Sequence, residues 1–465
     1  MAQMRIYKVC KKNAIMAKKT KPIKRHKVGF ESEFLLLENN GAVSSRADEL
    51  MARLQKKQPG YPVQKEYTHN VIEITSHVKR KVLHATGGWL RTVQMAIEEA
   101  KAADLKLLPH AYFGKYAPSP RSDPYYRMKE EVIGPTKMVF AESRSQAFHF
   151  HYCLPYGTFS RGEKQLKRLV YSKNKDLLIS MHNAIIAADS ALISFMQSSP
   201  FVEGRHYAMD CRSLIYGTMR VKKGERIIEG LYRKHKIFGK LPRYTHAIAG
   251  LGLRVQKQYE EFKEIVEEEH PHYMHVVEQM HPTKFYWGAL RISRYGTFEY
   301  RGMDMNLPTY IIGSSLLLKY MLKRIRNERL VTTPSDIGIS EPFKVEGKKL
   351  YVPPYTYLQE VLRPKAVIRG TGSLEVRKYM KKFAEFVMPK IPKRRDLGLE
   401  RIKQILQTGK TRSDILLKQA HRLGWGRDSE LSHEIACELA LKSSRELEDE
   451  VARLLESELI IDAEK

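Results

Sequence analysis

Four short segments of the chain set ionisable side chains between apolar ones. They are Glu31 and Glu33 in residues 28–38, Glu73 in 71–75, His149 and His151 in 148–152, and Glu299 and Arg301 in 297–301. Side chains alternate across a strand, so residues two apart share a face. Phe30, Ser32 and Phe34 then face one way and Glu31 and Glu33 the other; Ile72 and Ile74 oppose Glu73. Phe148, Phe150 and Tyr152 oppose the two histidines, and Phe298 and Tyr300 oppose Glu299 and Arg301. A sheet with one wet face would carry charges this way too. Solvent faces, however, favour Thr, Lys and Ser over a Glu pair, a His pair and a Glu–Arg pair. If the four faces converge, they make an acidic concave surface flanked by arginines. Converging carboxylates repel, and desolvation sharpens the repulsion. A hard cation removes it, and Mg²⁺ takes oxygen ligands while keeping positions open for phosphate oxygens. Glu31, Glu33, Glu73 and Glu299 suit such an ion. Imidazole is a less usual Mg²⁺ ligand, which leaves one of His149 and His151 as ligand and the other as its support. Arg301, Arg291 and Arg212 suit phosphate oxygens, because a guanidinium binds them in a planar fork.

The elements that must position these residues are legible as patterns. Residues 28–38 read as a strand ending at the Asn39-Asn40-Gly41 turn, and 71–75, 106–109 and 148–152 as further strands. Residues 289–293 and 297–301 read as a hairpin turned at Arg294-Tyr295-Gly296. Helices are expected over 46–56, 86–104, 255–269 and 308–327, with one or two more in 163–196. A basic, less regular stretch covers 203–245, and short strand and turn signals cover 340–365. Past about 373 the chain reads as helical, with Ser443 and Glu446 spaced as a capping box. Helices grouped between strand pairs predict an α+β fold with an antiparallel sheet. The expected organisation is a basic flexible tail over 1–27, a catalytic domain over 28–372 and a helical region over 373–465.

The chain has 465 residues and a formal net charge of +29. Residues 1–27 carry ten Lys or Arg and no acid; without them 71 basic residues face 52 acidic ones, a net of +19. That surplus implies anionic partners, whether nucleotide phosphates or nucleic acid. The tail lacks a signal-peptide core, and Met16 offers an alternative start. Residues 428–465 reverse the sign, with twelve acids and four bases, and are expected to dock on the basic body. Four cysteines with no C-x-x-C pair exclude a disulfide scaffold and a cysteine zinc site, and suit a cytoplasmic protein. No uninterrupted apolar run reaches membrane-spanning length, so no membrane partner is expected. Size leaves the oligomeric state, monomer or homodimer, open.

The ordered motifs resemble a family. Gly29-Phe30-Glu31-Ser32-Glu33-Phe34 is similar to the G-x-E-x-E-[FM] opening of the carboxylate–amine ligases that include the bacterial-type glutamate–cysteine ligases. Glu66 and Glu73 resemble the acidic pair of the family's second metal-binding segment. Pro109-His110 resembles its strand end, and Phe148-His149-Phe150-His151 its H-x-H strand. Ser199-Pro200-Phe201-x-x-Gly204 followed by Arg212 resembles its S-P-[FY]-x-x-G…R element. Tyr295-Gly296-Thr297-Phe298-Glu299-Tyr300-Arg301-x-x-Asp304 resembles its F-G-T-x-E-x-R-x-x-D block. The match runs over about residues 28–306. It implies a glutamine-synthetase-like curved antiparallel sheet with flanking helices, ATP and Mg²⁺ as cofactors, and amide formation from a small carboxylate and an amine through an acyl phosphate. In that reading Glu31, Glu33, Glu66, Glu73, His149, His151 and Glu299 hold metal, and Arg301, Arg291 and Arg212 contact phosphates, with Arg301, Glu299 and Arg212 catalytic. Two segments depart from the pattern. Residues 287–293 lack the family's Asp and shift the Arg by one, and Phe195-Met196-Gln197-Ser198 replaces a run of small residues.

Other signals weigh less. Gly409-Lys410-Thr411 imitates a phosphate-loop ending, but Gln404 stands where the loop needs glycine. Gly250-Leu251-Gly252 lacks a third glycine and reads as a turn. His270, His272, His275 and His281 read as helix-end and loop histidines. Two rival functions remain: a basic nucleic-acid-binding protein without ligase activity, and a guanidino-kinase-like phosphotransferase of the same fold.

Overall fold

In a computed structural model, described for residues 26–134, 137, 141, 144–167, 173–458 and 460–461, the chain builds around one seven-stranded antiparallel sheet. The tail expected over 1–27 lies outside the described residues, His26 and Lys27 apart, as does Met16. The strands are β1 (Val28–Glu38), β2 (Val63–Lys65), β3 (Val71–Thr75), β4 (Leu105–Leu108), β5 (Ala147–Cys153), β6 (Leu290–Ile292) and β7 (Thr297–Asp304). Their order is β6-β7-β5-β1-β3-β2, and β4 pairs with Leu35–Glu38 of β1 beyond the end of β5. With helices α1 (Ala47–Lys57), α2 (Val82–Lys101), α3 (Asn174–Met196), α4 (Ile248–Glu269), α5 (Pro308–Glu328), α6 (Leu374–Val387) and α7 (His433–Leu455), this is an α+β fold.

Alternation along the strands sorts the two faces. Phe30, Phe34, Ile72, Ile74, Phe148, Phe150, Phe298 and Tyr300 enter the main core. Trp89 of α2 donates from Nε1 to Ser32 Oγ at 2.8 Å, which places α2 on that apolar face. Helices α3 and α5 pack there as well. Helix α3 is apolar on almost every side, as a fully surrounded helix must be. By length and composition it could cross a bilayer, although polar residues interrupt its apolar runs; 94% of its apolar window is buried inside the protein.

Several local readings change. The helical region begins at Tyr355 rather than 373, because Pro353-Pro354 ends the strand Lys349–Val352 and starts a helical run. Ser443 and Glu446 cap nothing. Helix α7 starts at His433, where Ser432 Oγ accepts from the Ile435 amide at 3.3 Å. No Gly or Pro interrupts 433–455, so Ser443 lies buried in mid-helix and accepts from Arg412 at 3.1 Å. Gly250 and Gly252 sit in the first turns of α4, not in a loop. Gly409 and Thr411 are helix punctuation. Gly409 takes the left-handed conformation (φ 63°) after Glu400–Thr408, and Thr411 with Asp414 closes a capping box on Arg412–Arg422. The acidic end of the chain docks through Arg412–Glu446, Arg401–Glu450 at 3.4 Å and Lys101–Glu448 at 2.7 Å.

Candidate active site

Sheet register does what the strands alone cannot: it sets the charged positions opposite one another. Glu31 pairs with His149 across β1 and β5, and Glu33 with Glu73 across β1 and β3. Glu299 pairs with His151 across β7 and β5, and Arg291 with Glu299 across β6 and β7. Cross-strand side chains in register stand about 5 Å apart, close enough to share one ion.

The contacts are short. Glu31 Oε2 lies 3.0 Å from His149 Nδ1, and Glu31 Oε1 lies 3.1 Å from His151 Nε2. His149 Nε2 is 3.6 Å from Glu33 Oε1, while Glu33 Oε2 accepts from the Ala147 amide at 2.7 Å. His151 is oriented from behind by Thr297 Oγ1, 2.8 Å from Nδ1. Glu299 bridges two arginines, with Arg291 Nε at 2.7 Å and Arg301 Nη1 at 2.6 Å. Glu66 follows β2 and comes close to Glu33 and Glu73.

Three donor groups result, each with its ligand atoms within 4.8 Å of one another: Glu31–Glu73–His149, Glu31–His151–Glu299 and Glu33–Glu66–Glu73. The third is all oxygen and suits Mg²⁺. The electrostatics fit a cation as well. Burial and then the Glu66 charge push Glu33 well above the usual carboxylate range; burial and then Glu31, Glu66 and Glu33 do the same to Glu73. Burial would also raise Glu31, but His151 and His149 outweigh it and hold that carboxyl well below the usual range. Against burial, Arg291 and Arg301 keep Glu299 low. Burial and the Arg301 charge push His149 down to about 3, which keeps it neutral and able to ligate. Nε2 of His149 and Nε2 of His151 are buried and face glutamate oxygens at 3.6 and 3.1 Å, in neither case as an aligned hydrogen bond. Buried polar atoms are rarely left so unless something else occupies them.

The seven expected metal residues, together with Arg291 and Arg301, therefore meet on one face. Arg212 adjoins them in a different posture. Its guanidinium is buried and donates to the carbonyls of Ser145 at 3.1 Å, Gly302 at 3.3 Å and Arg301 at 2.9 Å. Those bonds brace the entry to β5 and the irregular stretch of β7 after Tyr300. Asp304 accepts from the Ser198 amide and from Ser199 Oγ, fixing the Ser-Pro segment beside it.

No protein-family model matches the sequence, and no curated protein sequence does. Solved structures do match. A glutamate–cysteine ligase from Francisella tularensis, in complex with AMP, aligns at 12% identity and a TM-score of 0.54, over 96% of this chain and 94% of that one. The chain shares its fold with a carboxylate–amine ligase. A bifunctional glutathione synthetase from Pasteurella multocida aligns at 13% identity and a TM-score of 0.51. The alignment takes in 91% of this chain but 53% of that one, so the chain spans about half the length of the bifunctional protein. At such identities the likeness is one of fold.

Pattern reading missed two residues beside the ligase-like sheet. Thr297 orients His151; it stands in the block that resembles F-G-T-x-E, but nothing in that block assigned it a role. Lys284 approaches from the turn Pro282–Phe285; burial and then Arg291 and Arg294 lower its pKa. No spacing could have shown it. Tyr125 packs on Phe285 and donates to the Lys284 carbonyl at 3.1 Å. His270 and His272 pair loosely with Glu131 and join no donor group among the described residues.

A pH dependence follows. A carboxyl raised on folding makes the folded chain the better proton binder, so its contribution falls as pH rises. Glu33 and Glu73 act in that sense, and so does His151, which Glu31 raises against the effect of burial. His149, lowered on folding, opposes them only below its ordinary value of about 6.5. Lys319, lowered to about 7, opposes them above that pH, so the expected result is relative: the downward contribution to Tm with rising pH in EDTA is smaller in Glu73→Gln than in the unaltered chain. Mg²⁺ should reduce that contribution too, by favouring the ionised carboxylates. Melts with identical slopes in EDTA and in MgCl₂ would rule out metal binding at these residues.

Proposed function

We propose that the chain is an ATP-dependent carboxylate–amine ligase with a glutamine-synthetase-like sheet, cytoplasmic, acting on a small acid and a small amine as a glutamate–cysteine ligase does. The observation that carries this reading is the set of three overlapping donor groups beside Arg291 and Arg301, in a fold that resembles that of a glutamate–cysteine ligase. In this proposal residues 28–372 form the catalytic unit and 373–465 brace it.

A carboxylate does not condense with an amine at neutral pH, because oxide is the leaving group. Phosphorylation by ATP supplies a better one, and the protein's work is positioning and charge neutralisation. Glu31, Glu33, Glu66, Glu73 and Glu299, with His149 and His151, would hold Mg²⁺, which supplies charge neutralisation at the phosphate oxygens when bound. Arg301 carries the transferring phosphoryl group's charge and Arg291 a neighbouring phosphate, both aimed by Glu299. Arg212 acts through its carbonyl bonds to the Arg301 and Gly302 backbone, which makes it a positioning residue. The changed segments at 195–198 and 287–293 put acid and amine specificity in this chain's own residues.

The test is a coupled ADP-release screen with Mg-ATP, glutamate and other acids, each with a panel of amines that includes cysteine. ADP release that requires both an acid and an amine, with an amide product, is expected. A phosphorylated product without amide would favour the guanidino-kinase-like reading instead, and no ADP release with any pair would count against both.

A further inference from the structure

Across the sheet from the donor groups lies a second charged feature, and nothing in the ligase chemistry uses it. A cavity of about 490 Å³ opens on one side of α2, lined by Gln58, His77, Lys79, His84, Arg91 and Thr92 among others. No carboxylate lines it among the described residues. The space beside Gly88 is open, since a Cβ there would meet nothing within 4 Å.

The cavity is one end of a longer basic band. The loop beside it continues with Arg80 and Lys81, and the Arg80 carbonyl accepts from Lys319 Nζ of α5. On α5 follow Lys323 and Arg326, with Arg395 nearby; Lys323 and Arg395 both lie over the Tyr320 ring, at 5.1 and 5.5 Å. Lys319 and Arg395 are themselves buried, and burial and then Arg395, Lys323 and Arg326 push Lys319 down to about 7; the accessible cations of the band are Lys79, Arg80, Lys81, Lys323 and Arg326. The acids of these two helices are engaged elsewhere. Glu98 and Glu99 pair with Lys57, and Glu328 with Arg324 and Lys390. Lys79, Arg80, Lys81, Lys323 and Arg326 make no ion pair among the described residues. Residues 1–27, with ten further cations in sequence, join the body at Val28, whose amide donates to the Lys79 carbonyl at 2.7 Å.

We infer that this band binds the phosphate backbone of a polynucleotide. A single oxyanion would need one converging pocket; a band running from α2 over the 77–81 loop to α5 matches a ligand with regularly repeated charge. The inference is independent of the ligase reading, because α2 stands on the face that carries Ser32, opposite Glu31 and Glu33.

The test is fluorescence anisotropy with a labelled 20-nucleotide RNA, using the full chain across a salt series. Binding should weaken linearly in log–log form with salt. The variant Lys79→Glu/Arg80→Glu/Lys81→Glu should lose at least about tenfold in affinity and flatten the slope by about 2, as expected for three lost contacts to a single strand. The control Lys378→Glu/Lys381→Glu/Lys382→Glu on α6 changes net charge equally and should retain binding. If the first variant melts early, acetylation of the unaltered protein serves instead, with RNA expected to protect Lys79 and Lys81. Equal losses in both variants, equally tight binding of polyglutamate or of inorganic polyphosphate alone, or no protection of Lys79 and Lys81 would each overturn the inference.

Discussion

Glu31→Gln is expected to lower ADP release by about a hundredfold or more and to leave the fold intact. Glu31 is shared by two of the three donor groups, and its two oxygens face two different histidines. Its carboxyl lies below the usual range, so at neutral pH it is charged and available to a cation. Glutamine keeps the volume and removes the charge. Losing one charge contact of this kind costs on the order of 3 kcal/mol in the transition state, which is about a hundredfold in rate. Stability should change little. His151 loses its partner, but Glu73 loses one of the charges that repel it. A coupled ADP assay beside a thermal melt reads both effects, and full activity in a folded Glu31→Gln protein would sink the metal assignment.

Glu299→Gln should also abolish turnover, with a measurable loss of stability. Glu299 is 1% exposed and is the anion between two guanidiniums. Breaking a buried ion pair by removing one partner costs about 3–5 kcal/mol when the remaining charge is sealed from water. Here the arginine side chains are 24% and 27% exposed, so solvent screens part of that cost and a drop of a few degrees in Tm is expected. Rate falls further than stability because a neutral amide cannot orient Arg291 and Arg301 together. Arg301 also sits 3.3 Å from His149 Nδ1, so its displacement would disturb a metal group as well. Arg301→Lys should be intermediate, keeping charge but losing the fork. Activity retained in Glu299→Gln, with the melt unchanged, would remove Glu299 and both arginines from the chemistry.

The strands that carry the site are legible from residue order because their signal is local. A strand's side chains alternate whatever it pairs with, so Phe30 and Glu31 had to take opposite faces. The same holds for Phe148 and His149, and for Phe298 and Glu299. The antiparallel sheet and α+β class follow from the spacing of those segments. The glutamate, histidine and arginine types name the chemistry before any contact is known.

Pairing between strands depends on residues tens to hundreds of positions apart. Only the folded sheet sets Glu33 against Glu73 and Arg291 against Glu299, and only there do burial and repulsion raise Glu33 and Glu73. Arg212 shows the same limit from the other side: its residue type suits phosphate, yet three backbone carbonyls claim its guanidinium. Ser443 had a cap's spacing, but α7 was already capped at Ser432. The cations of 77–81 become one band with Lys323 and Arg326 only because α5 packs beside α2. Alternation is a property of the local backbone, and so chemical identity and facing were written in residue order. Proximity belongs to the packed core, and it decided which of those groups act together.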